Sequence, residues 1–417
     1  MKNKQLLYLF LSNLIILFVG MGLFPLLPLY ATDFGATPTV VGFYFAFTYV
    51  SNAAGTMLTG PATRLLTRKG AFVASAALGI PALFLLGRAG ALWQVFLLTG
   101  LLWFSGGMGV ALANVFTGLH ANGRQRGASF SLMYLGFPLG SLLGGAMIGR
   151  LVDTSGYPAM FTALAVLWTA LPLVVLLGVK DKEVSGGAVH GKARQAQAAT
   201  AAAKSGGSAL DRQFHLLLLV TLLSSMAISA SRLGAPMSMQ ALRFSAGAIA
   251  STATVSGLAT IPIVLVFGRL SDRLGRERFL KLAYGLTATG ALTLIVSTQL
   301  WHFWVAATLM MVALCASGAM ASALATDVLP AEALSQGLPW VKGMGSVAGI
   351  VSFAGTGLVL DTVGGGALFV GAAALALAAI VSLSSLQAAC RETARKSTLW
   401  HSWTSVLRRR RGADVVC

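Results

Sequence analysis

The 417-residue sequence holds few groups that could do chemistry, and their placing decides which chemistry is open to it. Its twelve acids fall at the ends of apolar stretches (Asp33, Asp153, Asp327, Asp361), in polar connecting segments (Asp181, Glu183, Asp211, Asp272, Glu277, Glu332) or near the C-terminus (Glu392, Asp414). The five histidines also avoid the middle of apolar stretches: His120, His215 and His302 lie near their ends, and His190 and His401 in polar segments. A nucleophile with its base, or a set of metal ligands, needs such groups gathered in one site. No spacing here provides one, and Cys315, Cys390 and Cys417 suit neither a disulfide framework nor a zinc site. The sequence therefore predicts no enzyme, no metal and no cofactor. Two charges stand apart, because Arg232 and Lys342 sit within apolar stretches and Lys342 is the one charge between Ala333 and Leu360. A charge at hydrocarbon depth is costly unless it faces a polar cavity or a partner. The pair could attract anions, and Lys342 could bind a proton if desolvation lowered its pKa. Snorkelling of the two stems to the interfaces is the alternative.

The elements that position these residues are membrane spans. The chain is 56% hydrophobic and 10% charged, against about 25% charged residues in soluble domains, which excludes a water-soluble enzyme. A spanning helix needs roughly 20 apolar residues. Stretches of that kind predict helices α1 to α12 at 6–31, 39–62, 70–87, 91–118, 128–150, 157–179, 213–237, 245–268, 279–298, 301–325, 335–359 and 365–388. Of the 30 basic residues, all but Arg88, Arg150, Arg232, Arg243 and Lys342 fall on one side of this arrangement. Cytoplasmic loops keep positive charge, so both termini are expected inside, in a plasma (inner) membrane. The formal charge of +18 thus orients the protein in its lipid bilayer, and no nucleic-acid partner is expected. Lys2 and Lys4 precede α1, but its long apolar core without a small-residue cleavage site reads as a retained helix. Trp400, Trp403 and the run Arg408 to Arg411 read as an interfacial anchor or as a disordered basic tail.

A shift of 208 residues aligns the chain with itself. Gln5 falls on Gln213, Pro28 on Pro236, Gly60 on Gly268, Leu66 on Leu274 and Arg68 on Arg276. In the same register the segment Gly149 to Phe161 matches Gly357 to Phe369 at six of thirteen positions, among them Asp153 on Asp361. The expected organisation is a six-helix bundle over 1–179, a Gly/Ala/Lys-rich linker over 180–212, a second bundle over 213–388, and a basic tail over 389–417. Two such halves around a midplane site suit a rocking-bundle transporter.

The most specific motif is Gly268-Arg-Leu-Ser-Asp-Arg-Leu-Gly-Arg-Glu-Arg278, between α8 and α9. It resembles the cytoplasmic loop signature of the major facilitator superfamily. Gly268 and Gly275 permit a tight turn and close helix approach. Asp272 could sit at a neighbouring helix N-terminus, where dipole and free N–H groups favour an anion, while Arg273 and Arg276 pair with acids or lipid phosphates. The first-half counterpart keeps Gly60 and Arg68 but has Arg64 where the family has aspartate. Loop 10–11 carries Asp327 and Glu332, and loop 4–5 carries Arg124 and Arg126, so complementary pairs are available on both sides of a cytoplasmic gate. A solvated Arg64 in a degenerate latch is the other reading.

On α5, Gly127, Gly136, Gly140, Gly144 and Gly145 resemble the antiporter motif of the superfamily's drug and proton exchangers, with Ser141 in place of the usual proline. Glycines four apart leave a smooth helix face against which a neighbour packs closely. Pro25 and Pro28 in α1 also resemble exporters. The α4 arginine associated with proton transfer in the family falls at Trp103, before Gly107-Met-Gly109.

The resemblance implies an all-α integral membrane protein with twelve transmembrane helices in two pseudo-symmetric six-helix bundles, the major facilitator fold, with α1, α4, α7 and α10 around a central cavity. Spacing places Tyr44, Thr48 and Asn52 on one face of α2, and Trp103, Gly107 and Asn114 roughly on one face of α4. Polar side chains on such spans turn inward. Asn13, Tyr44, Asn52, Trp103 and Asn114 are therefore expected on the first-half wall, with Arg232 and Lys342 from the second half; for Asn13 and Asn114 interhelical hydrogen bonding is the alternative. The implied function is a monomeric secondary transporter working by alternating access, first of all a drug or amphipathic-compound efflux carrier with protons as a candidate coupling ion. An organic-anion carrier using Arg232 and Lys342 is the second reading, and a non-transporting membrane receptor or assembly factor the third.

Overall fold

The computed structural model describes residues 4–120, 126–181, 208–328 and 334–411, with the backbone alone at 126–130, 208–211, 267–274, 276, 319–323, 325–328, 334–339 and 389–411. Every described element is a helix. In lipid, a backbone that satisfies its own hydrogen bonds span by span has no other open form. The second to fourth helices are α2 (Pro38–Leu65), α3 (Arg68–Leu86) and α4 (Leu92–His120), and the second half holds α7 (Ser208–Ala241), α8 (Ala246–Leu274), α9 (Arg276–Ile295), α10 (Leu300–Val328), α11 (Leu334–Thr362) and α12 (Gly365–Arg411). Helices α5 and α6 are two arms of one stretch, Arg126–Gly178, that breaks at Gly156, where φ is 74°. Nine stretches among the described residues are long and apolar enough to cross a membrane. One of them, Ser131–Gly178, contains both α5 and α6. The protein is an integral membrane protein.

Three expectations are corrected. Helix α1 is not continuous over 6–31 but consists of Lys4–Leu23 and Leu27–Asp33, because Pro25 and Pro28 lack the N–H groups a continuing helix needs. Helix α12 does not stop at 388 but runs to Arg411. The turn between α8 and α9 falls to Gly275 alone, at φ 81°, whereas Gly268 lies inside α8 and Gly60 inside α2.

Local chemistry fixes where the helices begin. Thr37 precedes Pro38 and its hydroxyl accepts the Val40 N–H at 3.4 Å, while Thr67 accepts the Gly70 N–H at 2.9 Å, both satisfying donors that a helix start leaves free. Each half has its own packed interior; the Trp168 indole of α6, for example, donates to the Ala76 carbonyl of α3 at 2.9 Å. The halves meet chiefly through two crossed pairs, α2 with α11 and α5 with α8. A methyl group at Gly42 would lie 2.6 Å from the Phe353 carbonyl oxygen, and one at Gly149 would lie 2.3 Å from the Ala250 side chain. These crossings are repeat mates, since the 208-residue shift carries Gly42 onto Ala250 and Gly149 onto Gly357. Both lie toward the ends of the spans remote from the chain termini, hereafter the far face as opposed to the terminal face.

Candidate functional site

Between the halves lies a central cavity of two adjoining lobes, about 400 and 370 Å³. Tyr49, Val110, Asn114, Phe137, Arg232 and Lys342 line both. The first lobe adds Asn13, Tyr134, Tyr284 and a row of α7 hydroxyls, Thr221, Ser224, Ser225 and Ser229. The second adds Asn52, Thr56, Trp103 and the apolar side chains Ile16, Leu17, Met21 and Phe24. Asn114 and Lys342 are solvent-exposed although they stand on spanning helices. With the halves joined at the far face, this cavity faces the terminal side.

Its roof is aromatic. Phe24, Phe45 and Tyr49 of the first half close on Phe353 of α11, with ring centroids 6.1, 5.6 and 4.6 Å from that ring. Arg232 hangs from this roof. Its guanidinium carbon is 4.2 Å from the Phe24 ring centre, and Nη2 is 3.8 Å from the Met21 sulfur. A guanidinium over an aromatic face gains cation–π attraction yet keeps its edge donors for another ligand. Lys342 lies farther along α11 toward the terminal face. No aspartate, glutamate or histidine is among the described residues lining the cavity, so its fixed charge is positive.

The structure brings together Asn13, Asn52, Trp103, Asn114, Arg232 and Lys342. It does not bring Tyr44 there. That side chain is fully buried within the first half and its hydroxyl donates to Thr99 Oγ1 at 2.7 Å, tying α2 to α4. Asn13 both borders the cavity and donates to the Met133 carbonyl at 3.0 Å, and Asn52 donates to the Trp103 carbonyl at 3.3 Å. Tyr49, Tyr134, Tyr284 and the α7 hydroxyls are not among the residues the sequence singles out. Their signal was present as small polar side chains recurring along α7. Asp33, at the end of α1, stands away from the cavity on the far face.

The gate residues are only partly described. Arg124 and Glu332 lie outside the described residues, as do the side chains of Arg126, Asp272, Arg273, Arg276 and Asp327. Arg64 lies in the last turn of α2 and is exposed. Arg68 pairs with an acid of its own half, Asp181, at 3.7 Å, and Lys69 donates to the Leu176 carbonyl at 2.7 Å. Both contacts fasten the start of α3 to the end of α6 and the residues just after it. Gly127 starts α5. Gly136, Gly140 and Gly144 face α1, with sites for added methyl groups 2.9, 2.7 and 2.3 Å from Asn13, Leu17 and Phe18 atoms, whereas Gly145 faces α8 across the halves at 2.7 Å from the Ala250 oxygen.

A family model described as "Major Facilitator Superfamily" matches residues 9–230 and again 217–412. The chain belongs to this superfamily. The superfamily member is therefore a transporter and not an enzyme, and its two matches span the two halves that the repeat relates. Among solved structures, a peptide transporter POT variant in complex with alafosfalin is 14% identical, with a TM-score of 0.72 over 93% of this chain and 96% of the other. The POT family transporter PepTSo gives 14% and 0.72 over 93% and 98%. Peptide transporter POT in complex with sulfate gives 15% and 0.71 over 94% and 95%. These likenesses concern the fold. Among curated protein sequences none matches.

Proposed function

We propose that this superfamily member is an exporter of amphipathic small molecules that carry an anionic group, working by alternating access. The observation that supports this reading most is a cavity whose described lining holds Arg232 and Lys342, no acid, and a mostly apolar and aromatic wall. Lobes of this size fall within the roughly 300–1,000 Å³ of small-molecule sites. A headgroup would meet the guanidinium, ammonium and tyrosine hydroxyls, while the apolar body would lie against Phe24, Phe137 and Trp103. The peptide transporters named above suggest a second reading, peptide transport. A dipeptide, however, carries an ammonium as well as a carboxylate, and the described lining offers that ammonium no acid.

Export is supported by the α5 glycines and α1 prolines that resemble exporters, and by an energetic argument. With the termini in the cytoplasm, an anion leaving a negatively charged interior gains about 2.3 kcal/mol per charge per 100 mV. Export then needs no acid in the cavity to carry a proton, though protons remain a candidate coupling ion. The test is flux in proteoliposomes under an imposed potential, using a labelled aromatic carboxylate, its neutral amide and a dipeptide. The carboxylate should move in the direction the potential sets, and Arg232→Gln or Lys342→Gln should slow it by about tenfold, the loss of one charge-assisted contact. Preference for the amide, or dipeptide movement driven by a pH gradient, would replace this reading. Absence of carboxylate flux would overturn the anionic-substrate reading.

A further inference from the structure

Two contacts at the far face repeat each other across the halves. At the end of α5, both carboxylate oxygens of Asp153 accept the backbone N–H of Gly247, at 3.1 and 3.0 Å. Gly247 is the second residue of α8, where an N–H has no partner inside its own helix. At the end of α11, Asp361 Oδ2 accepts the hydroxyl of Thr39 at 2.6 Å, and Thr39 is the second residue of α2. The 208-residue shift carries Asp153 onto Asp361 and Thr39 onto Gly247. The same position at the end of one helix in each half thus grips the same position at the start of a helix in the other half. Neither contact lies within a half, and both acids are exposed at the membrane edge rather than in the cavity.

We propose that Asp153 and Asp361 are a paired latch that holds the far face shut in this state of the transport cycle, and that both contacts must part together when the cavity opens to that side. The geometry supports this in two ways. Each carboxylate meets a helix start, where the free N–H groups and the helix dipole favour an anion. Each also sits just beyond a glycine crossing, Gly149 with Ala250 or Gly42 with Gly357, about which the halves can rock without side chains interlocking. The acids do not touch the cavity, so they are positioning residues, and the proposal stands independently of which substrate is carried.

The test therefore needs no substrate. In a full-length chain with Cys315, Cys390 and Cys417 replaced, Ser229→Cys places one thiol in the cavity. Its labelling by a membrane-impermeant reagent is read from each face in sealed vesicles of both orientations. Asp153→Ala and Asp361→Ala should each raise the far-face to terminal-face ratio by about 2- to 5-fold, the range for one charge at a helix start. Because both contacts break in one step, the double variant should show the product of the two. Asp153→Asn, which keeps an acceptor oxygen for the Gly247 N–H, should recover part of the wild-type ratio. An unchanged ratio in the double variant would overturn the proposal. So would an effect at one acid alone, since the pairing would then be incidental.

Discussion

Tyr44 and Asn52 show what a single residue discloses in advance and what it does not. Both stand on one face of α2 at helical spacing, and both were expected on the cavity wall. Asn52 lines the second lobe, while Tyr44 is buried against α4 with its hydroxyl on Thr99. A polar side chain turning inward has two interiors available in a bundle of this size, the cavity and the contact between helices of one half. Spacing within α2 cannot distinguish them, because the deciding partner lies 55 residues away. Tyr44→Phe should therefore cost about 1 kcal/mol of stability through one lost buried hydrogen bond. Thermal unfolding in detergent should register that loss while the apparent affinity for substrate stays unchanged; a changed affinity would put Tyr44 back on the wall. The charged pair was more legible, since few arrangements tolerate Arg232 and Lys342 in a span. Their difference in setting was not: Arg232 lies on Phe24 at the roof, whereas Lys342 is solvated.

The glycine pattern of α5 was legible as a packing surface, but not as two surfaces with different duties. Gly140 abuts α1 within the first half, and a methyl group there would lie 2.7 Å from the Leu17 carbonyl carbon. Nothing short of separating two helices of one bundle relieves that contact. Gly140→Ala should thus lower stability by about 1–3 kcal/mol, the usual cost of overpacking. Gly145 abuts α8 of the other half, where a methyl group would lie 2.7 Å from both the Ala250 oxygen and the Thr254 nitrogen. That contact is relieved simply by parting the halves at the far face. Gly145→Ala should accordingly leave unfolding temperature near that of the unaltered protein and raise far-face labelling of Ser229→Cys. Equal destabilisation by the two substitutions would mean that the pattern serves packing alone. The interruption of α1 follows from Pro25 and Pro28 in hindsight, but prolines are tolerated in spans whenever neighbours satisfy the freed carbonyls, so the residue types alone do not decide between a bend and a break.

At the scale of the molecule, the repeat register and the superfamily signature made the two-bundle architecture readable, because identical residues 208 apart require equivalent environments. Which face is closed was not readable, since one sequence must specify at least two arrangements of the halves with similar free energies. The repeat contains the elements of both. Asp153 and Asp361 meet their partners with the far face shut, while Asp272, whose side chain lies outside those described, belongs to the signature at the opposite end of the spans. If Asp272 grips a helix start only when the terminal face is shut, then Asp272→Asn removes a contact from the opposite state to the one described here. Terminal-face labelling of Ser229→Cys should rise by about 2- to 5-fold, and the ratio that Asp153→Ala with Asp361→Ala drives upward should fall. Combining all three substitutions should bring the ratio back toward its starting value while slowing neither opening, because each end would have lost a restraint. Such compensation requires that the two ends bias one equilibrium; if Asp272→Asn leaves the ratio untouched in both backgrounds, that acid serves topology and the far-face pair alone sets the state.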